Sequence, residues 1–231
     1  MASTEPSKKR KHEPSFTDSE SMVTFLVGPG DAPKKFIIHK ERVCHHSPVL
    51  KAAFNGNFIE GETQTYRVED TSPGAFRMFT RWVYDQDLDL VQLKILDQKQ
   101  RDVRWEMGEA GHVEDLELAE LWVLADKMAM PKLQNFIVRQ IVEIRNQCRW
   151  VAIRTLPYVY KKTAVGSPLR RLMVSEVAQH GRKHHFNRTD DFPYEFLMDL
   201  AKHKIGYLPA TKAQQESDVS NFFVSVPNED I

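Results

Sequence analysis

The chain has 231 residues, 41% hydrophobic and 28% charged, with 32 basic and 32 acidic side chains and a formal net charge of zero. These proportions are ordinary for a globular protein, and no whole-molecule field draws the chain toward nucleic acid or an anionic membrane. No apolar run approaches the roughly 18 to 20 residues of a membrane span, and Cys44 and Cys148 are too few for a disulfide framework, which points to a reduced, intracellular setting.

Residues 1–20 are rich in Ser, Lys, Glu and Pro, with one aromatic, Phe16. They bury too little apolar surface to offset the entropy of ordering, and are expected to form a disordered arm. The arm has no apolar core of a secretory signal. It carries Lys8, Lys9, Arg10 and Lys11, a compact basic run of the nuclear-import type.

The folded part opens with MVTFLV at 22–27, a turn signal at Gly28-Pro29-Gly30-Asp31, and KKFIIH at 34–39, which together predict a β-hairpin. Gly28-x-Gly30 is not a phosphate loop, because Pro33 stands where the third glycine belongs and a strand follows where a helix is required. Ser47-Pro48 caps a helix with Val49, Leu50, Ala53 and Phe54 on one face, stopped by Asn55-Gly56. TYRVE at 65–69 alternates as a third strand, and Ser72-Pro73 launches a helix with Phe76, Phe79 and Val83 inward.

Residues 85–115 interrupt this rhythm and read as an acidic insertion. Leu118, Leu121, Trp122, Ala125, Met128 and Ala129 then form one apolar stripe, and Pro131 starts a further helix carrying Leu133, Phe136, Ile137, Ile141 and Ile144. Ser167-Pro168 opens a helix with Leu169, Leu172 and Met173. Another is opened by an acidic cap near Asp191 and by Pro193, with Phe196, Leu197 and Leu200. From Gly206 the chain turns polar and is expected to end in a mobile tail.

Hairpin, short helices, third strand, helix, insertion and helical pair, in that order, resemble the BTB/POZ domain. The resemblance is carried by FIIHKERVCHHSPVLKAAFNGNFIE: Phe36 and His39 ending the second strand, then Val43, Ser47, Phe54, Phe58 and Glu60. It continues through Asp70, Pro73, Phe76 and Trp82 to Tyr84, and LAELWVLADKMAMPKLQNFIVRQI is similar to the two later helices. The implied architecture is α+β: a short three-stranded sheet packed with a helical cluster at 21–146, a C-terminal helical extension at 147–205, and a tail at 206–231. The extension is more loosely similar to stand-alone BTB proteins of filamentous fungi. Zinc-finger repeats, kelch repeats and channel spans are not seen after the domain.

HKERVCHH at 39–46 groups His39, Cys44, His45 and His46. Three consecutive residues on a helix fan out at about 100° intervals and do not converge on one zinc ion, so this is a packed or rim cluster and no metal site. The resemblance implies that His39 packs against the first helix. Adjacency in sequence does not supply the spatial base a reactive thiolate needs, and G-x-S-x-G, H-E-x-x-H and P-loop signatures are missing. Glu176, His180 and His184 would share a helix face were Gly181 not between them, and HGRKHHFNR at 180–188 reads as a basic surface. With only Phe186 among its cations, nucleic acid is not the expected ligand.

No catalytic residue, cofactor or metal is expected. The resemblance implies a protein-interaction module, most directly an adaptor linking a target to a cullin-based ubiquitin ligase. Such adaptors carry an apolar residue, any residue, then Glu, a pattern met by Phe58-Ile59-Glu60. The other placement of the same residues puts Phe58 in the core and Glu60 on a solvated turn. The alternative function is a self-associating nuclear scaffold for transcriptional or chromatin partners, favoured by Lys8–Lys11, with the protein in the nucleus or cytoplasm. Charge is uneven: ten acidic against four basic residues from Asp85 to Glu117, and twelve basic against two acidic from Lys132 to Arg188. The two segments either complement one another or leave a basic face for an acidic partner.

Overall fold

The computed structural model describes residue 18 and residues 20–97, 108–206 and 219–227. The basic run Lys8–Lys11, most of the polar arm, and Trp105 and Met107 of the acidic insertion, a candidate partner hot spot if exposed, lie outside the described residues.

Strands β1 (Met22–Val27) and β2 (Lys34–His39) form the expected antiparallel hairpin, pairing Val27 with Lys34 and Met22 with His39. The turn between them contains Gly28 at φ 107° and Gly30 at φ 75°, left-handed conformations that glycine adopts without steric cost. β3 (Thr65–Val68) joins β1 in parallel, giving the sheet order β2-β1-β3. Parallel pairing requires a crossover, and the chain between β2 and β3 supplies one in three short helices: α1 (Lys40–His46), α2 (Pro48–Asn55) and α3 (Ile59–Thr63).

Alternation along β1 sends Val23, Phe25 and Val27 to the buried face. Phe25 is the centre of an aromatic cluster, 5.7 Å from Phe54, 5.1 Å from Phe76 and 6.3 Å from Phe79 between ring centroids. Phe76 and Phe79 come from α4 (Pro73–Asp85), whose cap is Ser72, as its Ser-Pro start predicts. Ser47 caps α2 through the Leu50 amide at 3.0 Å. The same hydroxyl donates to the Met128 carbonyl at 2.7 Å, tying the helical crossover to the main helix pair.

That pair is α6 (Gly108–Lys127) and α7 (Pro131–Cys148). Along α6 every residue from Leu121 to Ala125 is buried, so its middle is wrapped on all sides and has no single apolar stripe. Ala129 is a correction: it is exposed, at φ 51°, in the turn that ends α6, where the Met130 amide reaches back to the Ala125 carbonyl at 2.8 Å.

The flanks of the stretch read as an insertion belong to the fold. Leu88 and Leu90 are buried, residues 91–97 form α5 (Val91–Asp97), and α6 begins ten residues before its expected apolar stripe. Glu114 accepts from the amides of Val91 at 2.7 Å and Gln92 at 3.0 Å, holding the first turn of α5. Its neighbour Asp115 accepts from Gln92 Nε2 at 2.9 Å and Trp150 Nε1 at 2.7 Å. Polarity hid these residues because periodicity registers apolar burial, and these are buried by hydrogen bonding.

Beyond α7 come α8 (Leu156–Lys162), α9 (Pro168–His180) and α10 (Tyr194–Lys204). Arg145 on α7 pairs with Glu176 on α9 at 2.9 Å, and both are largely buried. Arg170 on α9 lies over the Tyr160 ring at 4.4 Å and donates to the Tyr160 carbonyl at 2.6 Å near the end of α8. On α10 Phe196 is buried as expected but Leu197 is exposed, and Asp191 is not the cap: it pairs with Arg188 at 2.8 Å.

Residues 219–227, expected in a mobile tail, are instead seated on α7. The Asn135 side chain receives the Val224 amide at 2.8 Å and donates to the Val224 carbonyl at 3.0 Å. Arg139 lies 4.6 Å over the Phe223 ring. Four apolar side chains in this short segment, Phe222, Phe223, Val219 and Val224, pack on the core and offset the cost of ordering it.

Candidate functional site

Phe54, in the last turn of α2, lies inside the aromatic cluster, and its carbonyl accepts from Lys40 Nζ at 2.9 Å and Gln64 Nε2 at 3.1 Å. These two bonds anchor both sides of a tight excursion, residues 55–64. Within it Gly61 lies so close to the end of α2 that an added Cβ would stand 2.1 Å from the Gly56 carbonyl oxygen. Phe58 precedes α3 in extended conformation, and its carbonyl accepts the Gly61 amide at 2.9 Å.

This anchored excursion carries Phe58 at 63% and Ile59 at 64% exposure. The core placement of Phe58 is therefore wrong: the aromatic cluster is filled by Phe54, Phe76 and Phe79, and Phe58 is left outside. Glu60 is half-buried beside them, and its charge together with burial raises the Tyr66 hydroxyl above its usual range, burial being the larger cause. The site is thus two adjacent bare apolar side chains with a carboxylate at their edge. Exposed apolar anchors beside a polar rim suit protein docking and offer no reaction chemistry.

The histidine and cysteine cluster is structural. His39 does end β2, but its partner is Tyr84 on α4: the Tyr84 hydroxyl lies 2.7 Å from His39 Nδ1 and 3.1 Å from the His39 amide. His46 packs on Trp82 at 5.1 Å, and burial, helped by neighbouring His45, pushes its pKa down to about 4. Cys44 is raised by burial, and Cys148 is raised to about 11 by burial and the nearby Asp115 and Glu114. Both thiols are displaced away from the thiolate, opposite to what a nucleophile requires.

In the second cluster α9 stops at His180 and Gly181 continues in extended conformation, so Glu176 and His184 do not share a face. Glu176 is committed to Arg145, and the His184 ring meets His185 edge-on at 4.3 Å. Among the described residues no three His, Cys, Asp or Glu side chains converge as metal ligands, and no helix is long and apolar enough to cross a membrane.

A small sheet crossed by short helices, closed by a helix pair and displaying an apolar edge, defines a protein-interaction module. Residues 11–144 match the model of the BTB/POZ domain, and the chain belongs to that family. It is 34% identical over 68 residues to BTB/POZ domain-containing protein 6 of Xenopus tropicalis, covering 29% of this chain and 13% of that protein. It is 32% identical over 90 residues to BTB/POZ domain-containing protein 6-B of Danio rerio, covering 38% and 18%. The chain therefore matches less than a fifth of the length of either relative.

Sequence reasoning missed the Asp115–Trp150 bond and the Asn135 clamp on Val224. No spacing rule connects partners 35 and 89 positions apart.

Proposed function

We propose that this BTB/POZ protein is a non-catalytic adaptor that links a target protein to a cullin-based ubiquitin ligase, with Phe58, Ile59 and Glu60 as the cullin-facing residues. The observation that supports the reading is the display of Phe58 and Ile59, more than 60% exposed, on an excursion anchored at both ends. An anchored apolar pair loses little side-chain and backbone freedom on docking, which is where interfaces gain affinity. Glu60 supplies a directional acceptor beside it.

The test is capture of purified cullin by the wild-type chain and by a Phe58→Ala, Glu60→Ala double variant, with circular dichroism to verify folding. Capture by wild type and at least about tenfold weaker capture by the folded variant is expected for loss of a central anchor. Wild type that captures no cullin sinks the adaptor reading.

A second reading, a self-associating nuclear scaffold, draws support from the outer face of the sheet. There Met22 on β1 and Ile37 on β2 are exposed, with Ile37 at 54%. Sedimentation of the wild-type chain against Ile37→Glu distinguishes it, since only a sheet-mediated dimer dissociates in the variant.

A further inference from the structure

Away from Phe58, the start of α6, residues 149–154 after α7, and residues 184–191 enclose a cavity of about 220 Å³. Trp150, Val151 and Ile153 supply its apolar lining, and Arg149, Arg154, Arg188, His112, His184 and His185 surround them. Asp191 is the one lining acid. It pairs with Arg188 at 2.8 Å, and Arg154 meets the exposed Glu109 at 3.0 Å. Three guanidinium groups thus face two carboxylates.

Burial first, and then the neighbouring cations Arg154 and Arg188, hold the His112 imidazole below its usual range. His185 is lowered by burial, His184 and Arg182. The guanidinium groups of the lining arginines keep their charge at any working pH. Trp150 is held in place, because its indole is bonded to Asp115 and packs against the His112 ring at 4.8 Å.

We infer that this cavity is a second docking site, for an acidic peptide segment carrying one large apolar side chain between carboxylates. Charge complementarity selects the acidic residues: three of the twelve cations between Lys132 and Arg188 line the cavity, and Arg149 is left in excess over the carboxylates of Asp191 and Glu109. The Trp150–Ile153 lining selects the apolar residue, for which a bare phosphate has no use. Small-molecule pockets occupy about 300 to 1,000 Å³, and this cavity falls below that range. A polynucleotide would need successive exposed aromatics along a basic groove, whereas Trp150 is already engaged on one side by His112. The site uses elements other than α2 and α3, so it stands or falls independently of cullin capture.

The probe is a fluorescein-labelled peptide Glu-Asp-Phe-Asp-Glu, titrated with the full chain and followed by anisotropy. Arg149 is exposed at the end of α7, so Arg149→Glu reverses one charge of the rim without removing a packed side chain. Lys161→Glu makes the same net-charge change at an exposed position on α8. We expect Arg149→Glu to weaken binding at least about tenfold and Lys161→Glu by less than about twofold, because Coulomb interactions at the surface fall off within a Debye length of about 10 Å. Replacing the peptide Phe by Ser should weaken binding comparably to Arg149→Glu. Equal effects of the two charge reversals, undiminished binding of the Ser peptide, or displacement of the probe by inorganic phosphate at matched ionic strength would each overturn the inference. A wild-type chain that does not bind the peptide overturns it outright.

Discussion

The sheet half and the helical half of the molecule share one apolar core but differ in the polar contacts set into it. Around β1 the contacts are aromatic: Phe25, Phe54, Phe76 and Phe79 are buried carbon surface, non-directional and tolerant of small shifts. From α5 onward Leu133, Leu156, Leu169 and Leu172 are buried likewise, and polar, directional contacts are added to them. Arg145 grips Glu176, Asp115 receives Gln92 and Trp150, and Arg170 lies over Tyr160 while donating to its carbonyl. The first kind of contact stabilises roughly in proportion to area. The second fixes position, and its cost appears when one partner is removed and the other stays buried.

The sharpest way to break this contrast is to delete one contact of each kind and compare urea unfolding. Phe25→Ala, at the centre of the cluster, should cost about 4 kcal/mol by lost transfer energy and cavity formation, with the whole unfolding curve shifted. Arg145→Ala leaves the Glu176 carboxylate buried without its cation and should cost about 3 kcal/mol. Glu176→Ala, which removes the buried charge as well, should cost clearly less. Equal costs for the two would mean that the pair acts as ordinary packing.

Asp115 gives the polar junction a pH signature. Burial raises its carboxyl to about 6, against hydrogen bonds from Gln92 and Trp150 that lower it. The folded chain therefore binds this proton more tightly than the unfolded one. The stability it contributes is fully present below about pH 4 and is lost as pH rises through about 6. His46 works in the opposite sense: with a folded value near 4, its stability is present above about pH 6.5 and is lost as pH falls. Comparing Asp115→Asn with wild type isolates the first contribution, since His46 is common to both. The stability difference between them should change by up to about 3 kcal/mol between pH 4 and pH 7, in favour of the variant at the higher pH. After a flip Gln92 Oε1, which has no hydrogen-bond partner, can accept from the new amide, at the expense of the long 3.4 Å bond from Gln92 Nε2 to the Gly111 carbonyl. A pH-independent difference would place the Asp115 titration outside this window.

The smallest effect is expected at the docking edge. Phe58→Ala removes an exposed ring and should change folding stability by no more than about 0.5 kcal/mol, measured in the same urea titrations. A loss several times larger would show that the ring supports α3, and would weaken its assignment as a partner anchor.

Several features of this chain are legible in its sequence. Ser47-Pro48, Ser72-Pro73 and Ser167-Pro168 each place a helix start where the structure has one, because capping is decided within four residues. The hairpin around Gly28 and Gly30 is equally local, and the ordered set from Phe36 to Tyr84 carried the family. The pattern Phe58-Ile59-Glu60 was visible as letters, but two placements of Phe58 fitted them equally well.

Only the tertiary structure decided between those placements, since burial depends on which other phenylalanines fill the cluster first. It alone turned Glu114 and Asp115 from members of an acidic run into clamps on α5 and Trp150, seated residues 219–227 on Asn135, and gathered Arg149, Arg154 and Arg188 around one cavity. Helix caps, turns and periodic faces are set by neighbours along the chain. Polar burial and converging charge are set by partners tens of positions away, and no local spacing carries that information.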